Sequence, residues 1–308
     1  MILNICLNPT IDVNIEVDSL SVGMNNGIVS KHTYYTGKAM NTAIGLSRLG
    51  AESFLTGFMY EDNGRQFEHE LHREGVSYKF VWNKGKVGEN YKFIDRKSML
   101  TEIGDASSEL SLEKQDELVS LVAELSRGSE AVLMAGSLAK GMSPDYYYKV
   151  LSVVPSHVKK IVDTDGDKLI QSLKCGVDLV KPNLEELQRA LDNKQIKSKQ
   201  DLKEACLKLI SLGAKIVLVS LGKKGAVISD GVKCYYCKSI NVAMNSTAGA
   251  GDAMIAAATK ALVQGEDLPS ILRSGVAAGT AAVTLADGVS FKKEKYDDIY
   301  SSLEVKEI

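Results

Sequence analysis

The sequence predicts an α/β fold, with a mainly parallel central sheet covered by helices on both faces and a small β lid. Two observations carry this. Short apolar, β-branched runs recur along the chain, each followed by an amphipathic stretch of helical period, which is the pattern of strands buried on both faces. Two other regions alternate polar and apolar residues and show no long helical period, the pattern of half-exposed strands.

The buried-strand runs are Ile2–Leu7, Phe54–Met59, Ala131–Ala135, Ile161–Asp163, Leu179–Lys181 and Ile216–Leu221. Between them Lys38–Leu49, Leu112–Leu125, Asp145–Val153 and Ser198–Leu212 read as helices. Gly50 and Gly213 stand where a C-terminal glycine lets the chain leave the helix. The alternating regions are residues 12–35 and about 78–105, as in Tyr91-Lys92-Phe93-Ile94. At 308 residues the chain can bury one large core plus an appendage. The expectation is therefore one domain over 1–308, with both alternating segments inserted as a lid. Ligands of such a sheet gather at the carboxyl ends of its strands.

Bulk properties narrow the function classes. A net charge of −2 gives no reason to expect nucleic acid or an anionic membrane as partner. No apolar run reaches the length of a membrane span, and the first residues read as a strand with no basic leader. The expected location is the cytoplasm. Five cysteines form no disulfide framework, and the Cys234–Cys237 CxxC lacks the second pair or histidine of a zinc site. His69 and His72 stand three apart without a third ligand and read as a solvated helix face.

The most informative stretch is Asn245–Ala258. Gly249, Ala250 and Gly251 open a helical run whose first carboxylate is Asp252. A helix start without bulky side chains leaves backbone N–H groups free to close around an anion. An aspartate repels such a guest, and makes sense there if it takes a proton from a hydroxyl that attacks a bound phosphoryl group. That is small-molecule kinase chemistry. The plain rival is a small-residue turn with Asp252 as helix cap. A dinucleotide fingerprint is weak, because Met254 takes the third glycine's place and the motif lies far from the first strand–helix turn.

Six segments then follow one another along the chain: Leu7-Asn8-Pro9 before Asp12, Thr36-Gly37-Lys38-Ala39-Met40-Asn41, Gly136-Ser137-Leu138, Lys181-Pro182-Asn183 through Glu186, Ser220-Leu221-Gly222 through Gly225, and Ser246–Asp252. By these the chain resembles the ribokinase-like (PfkB) carbohydrate kinases end to end, particularly the 1-phosphofructokinase and tagatose-6-phosphate kinase branch. The resemblance implies a ribokinase-like three-layer sandwich and a transfer from ATP with Mg²⁺. It implies Asp252 as general base, with the N–H groups of Gly249, Ala250 and Gly251 facing the transferring phosphoryl group. Asp12, Gly37, Lys38 and Asn41 would hold the sugar. Lys181, Asn183, Ser220, Gly222, Gly225 and Gly279 would line the nucleotide site, and Asn183 with Glu186 would organise Mg²⁺ through water. Capping of a helix is the plain alternative for Asn183 and Glu186, close helix packing that for Gly279, and an exposed helix position that for Asn41. The branch also implies a homodimer paired through the β lid.

Departures from the family pattern fall on the substrate side. Gly88 stands where phosphosugar members carry an arginine, with Glu89 beside it, and no basic residue follows Gly23 before Gly27. Thr36 and Ala39 replace glycines, and Ala139 replaces a proline. Lys31, Lys38 and Arg96 are the candidates to receive a phosphate instead. The expected activity is phosphorylation of a fructose 1-phosphate or tagatose 6-phosphate type substrate. Alternatives are a kinase of an unphosphorylated sugar or nucleoside, or a binding regulator, which would need no general base.

Overall fold

The computed structural model describes residues 1–192, 194–285 and 291–308. The chain opens with β1 (Ile2–Cys6), β2 (Thr10–Val17), β3 (Ile28–Thr36) and α1 (Lys38–Arg48). It continues with β4 (Ser53–Tyr60), α2 (Arg65–Arg73), β5 (Ser77–Asn83), β6 (Gly88–Ile94) and β7 (Leu100–Asp105). Next come α3 (Leu112–Leu125), β8 (Ala131–Ala135), α4 (Tyr146–Ser152), β9 (Lys159–Asp163), α5 (Gly166–Leu173) and β10 (Val177–Val180). The last part runs through α6 (Leu184–Ala190), α7 (Lys199–Ser211), β11 (Ala214–Ser220), β12 (Ala226–Ser229) and β13 (Cys234–Cys237). It closes with α8 (Ala250–Val263), α9 (Leu268–Ala282), α10 (Lys293–Ser302) and β14 (Val305–Glu307).

Ten strands form one sheet in the order β14-β13-β12-β11-β10-β9-β8-β1-β4-β5. From β11 to β5 every pair is parallel, while β12, β13 and β14 add antiparallel strands at one edge. The parallel strands are the six apolar runs plus β5. β1 and β8 are buried along their whole length, as strands covered on both faces must be. One set of helices, α1, α8, α9 and α10, packs mutually, and a separate series runs from α3 through α4, α5 and α6. The result is a three-layer sandwich. The chain builds outward from β1 to β4 and β5 on one side and from β8 to β11 on the other. The sheet order therefore reverses between β1 and β8, and the crevice beyond the carboxyl ends at such a switch is where ligands bind.

A second, four-stranded sheet has the order β3-β2-β6-β7. Its makeup corrects one boundary. The second alternating segment, expected from about 78, contributes to the small sheet only from Gly88. Ser77–Asn83 instead pairs in parallel with β4 as the edge of the large sheet. An edge strand is half exposed and alternates just as a lid strand does, so the pattern alone does not separate the two. In β2 the odd-numbered Ile11, Val13, Ile15 and Val17 are buried, while Asp12 and Asn14 lie on the opposite face.

Smaller expectations find their places. Cys234 and Cys237 lie on β13, where a spacing of three puts them on opposite faces, and all five thiols are free. His69 and His72 are exposed on α2. Among the described residues no helix is long and apolar enough to cross a membrane.

Candidate active site

The start of α8 is set by Gly249, whose φ of 74° lies in the left-handed region that side chains disfavour. No side chain caps this helix, so its first N–H groups stay available. Asp252 is therefore not a cap, and that rival falls. Its carboxylate sits in the first turn, 6 % exposed. Oδ2 accepts a hydrogen bond from Asn41 Nδ2 at 2.8 Å, and Asn41 Oδ1 accepts from the Thr36 hydroxyl at 2.9 Å. Asn41 is thus a buried residue of α1 with both amide atoms engaged. It was expected against the sugar; the structure sets it against the carboxylate.

Burial pushes the Asp252 carboxyl up to about 6, with the nearby Asp163 charge adding to the rise. The Asn41 hydrogen bond, Lys38 and Lys181 pull the other way. Asp163 closes β9 at the carboxyl end of the sheet and is fully buried. Its Oδ1 lies 3.2 Å from Lys181 Nζ and 3.7 Å from Lys38 Nζ, and neither of its oxygens accepts a hydrogen bond. Lys38 Nζ is also 3.7 Å from Glu186 Oε1, and the Asp163 charge leads the causes that raise the Lys38 ammonium above its ordinary range. Asp252, Asp163, Lys38 and Lys181 form one cluster of two acids and two bases at the switch point. Lys181 was expected at nucleotide phosphate. It is 3 % exposed, and a Cβ on Gly251 would lie only 3.3 Å from its Nζ, so it stands directly beneath the α8 start.

Asn183 and Glu186 realise the capping alternative. Asn183 Oδ1 accepts from the Glu186 N–H, and Glu186 Oε2 accepts from the Asn183 N–H, both at 2.8 Å. This leaves Glu186 Oε1, facing Lys38, and the two bare oxygens of Asp163. Among the described residues no three acidic, His or Cys side chains could hold a metal together. Mg²⁺ does not need such a cage, since it keeps waters and substrate phosphates as ligands and takes one or two carboxylates. Glu186 and Asp163 fit that requirement; the Asn183 side chain, used as a cap, does not.

Beside the α8 start lies a cavity of about 360 Å³ lined by Ser220, Gly222, Gly225, Gly251 and Gly279, with apolar Ile240, Val242 and Met254. Its floor depends on two glycines. A Cβ on Gly225, at φ 95°, would lie 2.0 Å from the Cys237 carbonyl oxygen. One on Gly279 would lie 3.1 Å from the Ala250 carbonyl oxygen and 3.4 Å from Met254 Cε. Gly279 therefore both lines the cavity and lets α9 close on α8.

The residues expected at the sugar spread over the even face of the small sheet and the start of α1. Gly37 precedes α1 at φ 154°, with Cys6 Sγ 3.1 Å from where its Cβ would be. Asp12 pairs with Lys92 Nζ at 2.7 Å. Gly88 is not an arginine site left vacant. A Cβ there would lie 2.6 Å from the Asp105 carbonyl oxygen and 2.7 Å from the Ser107 nitrogen. The Gly88 N–H donates to Ser107 Oγ, whose hydroxyl donates to Asn8 Oδ1, while Asn8 Nδ2 donates to Ser137 Oγ. The chain's own 105–107 backbone occupies the position.

Sequence reasoning missed Asp163, Ser107 and Lys92. A carboxylate at the carboxyl end of a buried parallel strand was the available signal for Asp163. Nothing local marked the other two, whose partners lie 99 and 80 residues away.

Residues 1–293 match the pfkB family carbohydrate kinase profile, and the chain belongs to this family: it is a carbohydrate kinase, a phosphotransferase. It is 26 % identical over 311 residues to a tagatose-6-phosphate kinase of Staphylococcus epidermidis, covering all of both chains. It is 28 % identical over 310 residues to a 1-phosphofructokinase of Borreliella burgdorferi, covering 98 % of this chain and all of that one. Phosphofructokinase-2 of Escherichia coli, solved with fructose-6-phosphate, superposes with a TM-score of 0.88 over 98 % of each chain at 26 % identity.

Asn41→Leu removes a hydrogen bond to the charged carboxylate, so the Asp252 carboxyl should titrate at higher pH than in the wild type. Asp163→Asn removes a like charge, so the same carboxyl should titrate at lower pH; carbon NMR titration of both variants reads the opposite signs. Gly88→Ala forces the 105–107 backbone aside, and calorimetry should show Tm lowered by a few degrees, the scale of a ~1–3 kcal/mol overpacking cost.

Proposed function

We propose that this kinase transfers the γ-phosphoryl group of ATP to a hydroxyl of a sugar phosphate, of the fructose 1-phosphate or tagatose 6-phosphate type, with Asp252 as general base. The observation that carries this is the buried Asp252 carboxylate at the uncapped α8 start, raised to about 6 and held by Asn41. A base of that strength is ionised at neutral pH yet still binds a proton appreciably, which suits general-base work. The relatives' names support the substrate class.

Each neighbour has a task in this reading. Asn41 fixes the carboxylate so that one oxygen accepts from Asn41 and the other is left for the hydroxyl. The N–H groups at Gly249–Gly251 stabilise charge on the phosphoryl oxygens, and Lys181, beneath them, adds positive charge. The 360 Å³ cavity with its apolar wall takes the nucleotide base. Mg²⁺, held through water by Glu186 and Asp163, would neutralise charge on the nucleotide's phosphates. A second reading, an unphosphorylated acceptor, is favoured by the filled position at Gly88.

Coupled ADP release with Mg-ATP, on both phosphosugars, on fructose 6-phosphate and on the free sugars, tests the reading. Asp252→Asn should lower kcat by roughly 10²–10⁴-fold with Tm unchanged. Retained turnover with lowered Tm would make Asp252 structural. Turnover confined to free sugars would select the second reading.

The small sheet also supports pairing with a second copy. Both its edge strands expose apolar side chains, Ile28 and Val29 on β3 and Leu100 and Ile103 on β7, each more than half exposed. Bare edges of this kind need a cover, and a homodimer through the lid supplies one. Sedimentation should give a dimer for the wild-type chain and a monomer for Val29→Glu; a monomeric wild type overturns it.

A further inference from the structure

An acceptor phosphate needs a cation, yet no side chain fits at Gly88. The three basic residues that the sequence offers instead are placed elsewhere. Lys31 lies opposite Ile15, on the odd, apolar face of the small sheet. Arg96 pairs with Asp18 at 2.6 Å and is well exposed. Lys38 stands between Asp163 and Glu186 in the catalytic cluster.

We infer that Lys92 receives the phosphate of the acceptor, exchanging the Asp12 carboxylate for it; this rests on the reading of the acceptor as a sugar phosphate. Strand register places Lys92 on the right surface. Thr10 lies opposite both Thr36 and Gly88, Asp12 opposite Tyr34 and Asn90, and Asn14 opposite His32 and Lys92. Residues directly opposite share a face, so all of these belong to the even face. Thr36, on that face, donates to Asn41, which holds Asp252. The even face is therefore the one aimed at the base. Lys92 starts two rows further out, and its Nζ reaches back to Asp12, one row from Thr36 and Gly88, or about 7 Å at the rise of a strand. Its ammonium thus stands one row from the filled Gly88 position and from Thr36, the residue that links this face to Asp252 through Asn41.

The charges on this face make an exchange reasonable. Lys92 and Asp12 are both half-buried, and each neutralises the other. A phosphate dianion attracts the ammonium more strongly than a single carboxylate does. On losing Lys92, Asp12 Oδ2 is freed as well to accept hydrogen bonds from sugar hydroxyls. Glu102 faces Lys92 from β7 and Glu16 lies one row beyond on β2; Glu102 is exposed, so water screens its repulsion. His32, opposite Asn14, is the other titratable group of that row. The pair would thus admit a phosphorylated acceptor by switching partners, with no arginine needed.

The test compares Lys92→Gln and Lys92→Arg with wild type on fructose 1-phosphate, tagatose 6-phosphate and fructose 6-phosphate, and on free fructose and tagatose. Losing a charge-assisted hydrogen bond should raise KM for the phosphorylated acceptor roughly 10–100-fold in Lys92→Gln. The ratio of kcat/KM between phosphorylated and free sugar should fall by a similar factor, and Lys92→Arg should recover most of it. Equal losses on phosphorylated and free sugars would make Lys92 only a partner of Asp12 and overturn the inference. So would an unchanged KM in Lys92→Gln, while leaving the phosphosugar function standing. A wild-type protein that turns over only free sugars overturns both.

Discussion

The burial of one carboxylate organises the carboxyl-end side of the large sheet. Asp252 lies in the first turn of α8, out of water and close to a second acid, Asp163. Leaving two acids uncompensated in the interior would cost several kcal/mol. The surroundings supply what is needed: the Asn41 amide on one side, and the Lys38 and Lys181 ammonium groups on the other. Those partners come from α1 and from the residue after β10, and Asp163 itself closes β9, so the carboxyl ends of the sheet, the α1 start and the α8 start are held together by one requirement. Small residues serve the same end. Gly249 turns the chain without a side chain, and Gly279 lets α9 close behind the helix.

The two halves of the cleft are built differently. Around Asp252, Asn183 serves as a helix cap and Asn41 holds the carboxylate, while Ser220, Gly222, Gly225 and Gly279 line the cavity beside the α8 start. On the lid side the arginine position is sterically closed by the 105–107 backbone, and the nearest cation is already paired. A side chain at Gly88 would have no room, because the chain's own backbone fills the space.

Much of the fold was legible in the residues, for identifiable reasons. Ala131–Ala135 reads as a buried strand because nothing in it is polar, and the structure has it within the same bounds. The small sheet was legible from period-two alternation, but so was Ser77–Asn83, an edge strand of the other sheet. Alternation reports half-burial, not which sheet does the burying. Site residues followed the same logic. Asp252 stood out because a carboxylate beside small residues at a helix start is chemically odd. Asn41's link to the carboxylate was not legible, because its partner lies 211 residues away and amides serve sugars and carboxylates alike. The Asp12–Lys92 pair was invisible for a similar reason: two ordinary charges become meaningful only when strand register sets them side by side.

The most direct measurement on the catalytic cluster is the titration of the Asp252 carboxyl itself, by carbon NMR of aspartate-labelled protein, with the resonance assigned by its loss in Asp252→Asn. A midpoint near 6 would show a buried carboxylate poised as a base at neutral pH. A midpoint near the ordinary aspartate value of about 3.9 would mean that water reaches the group, and would contradict the environment from which its role is argued.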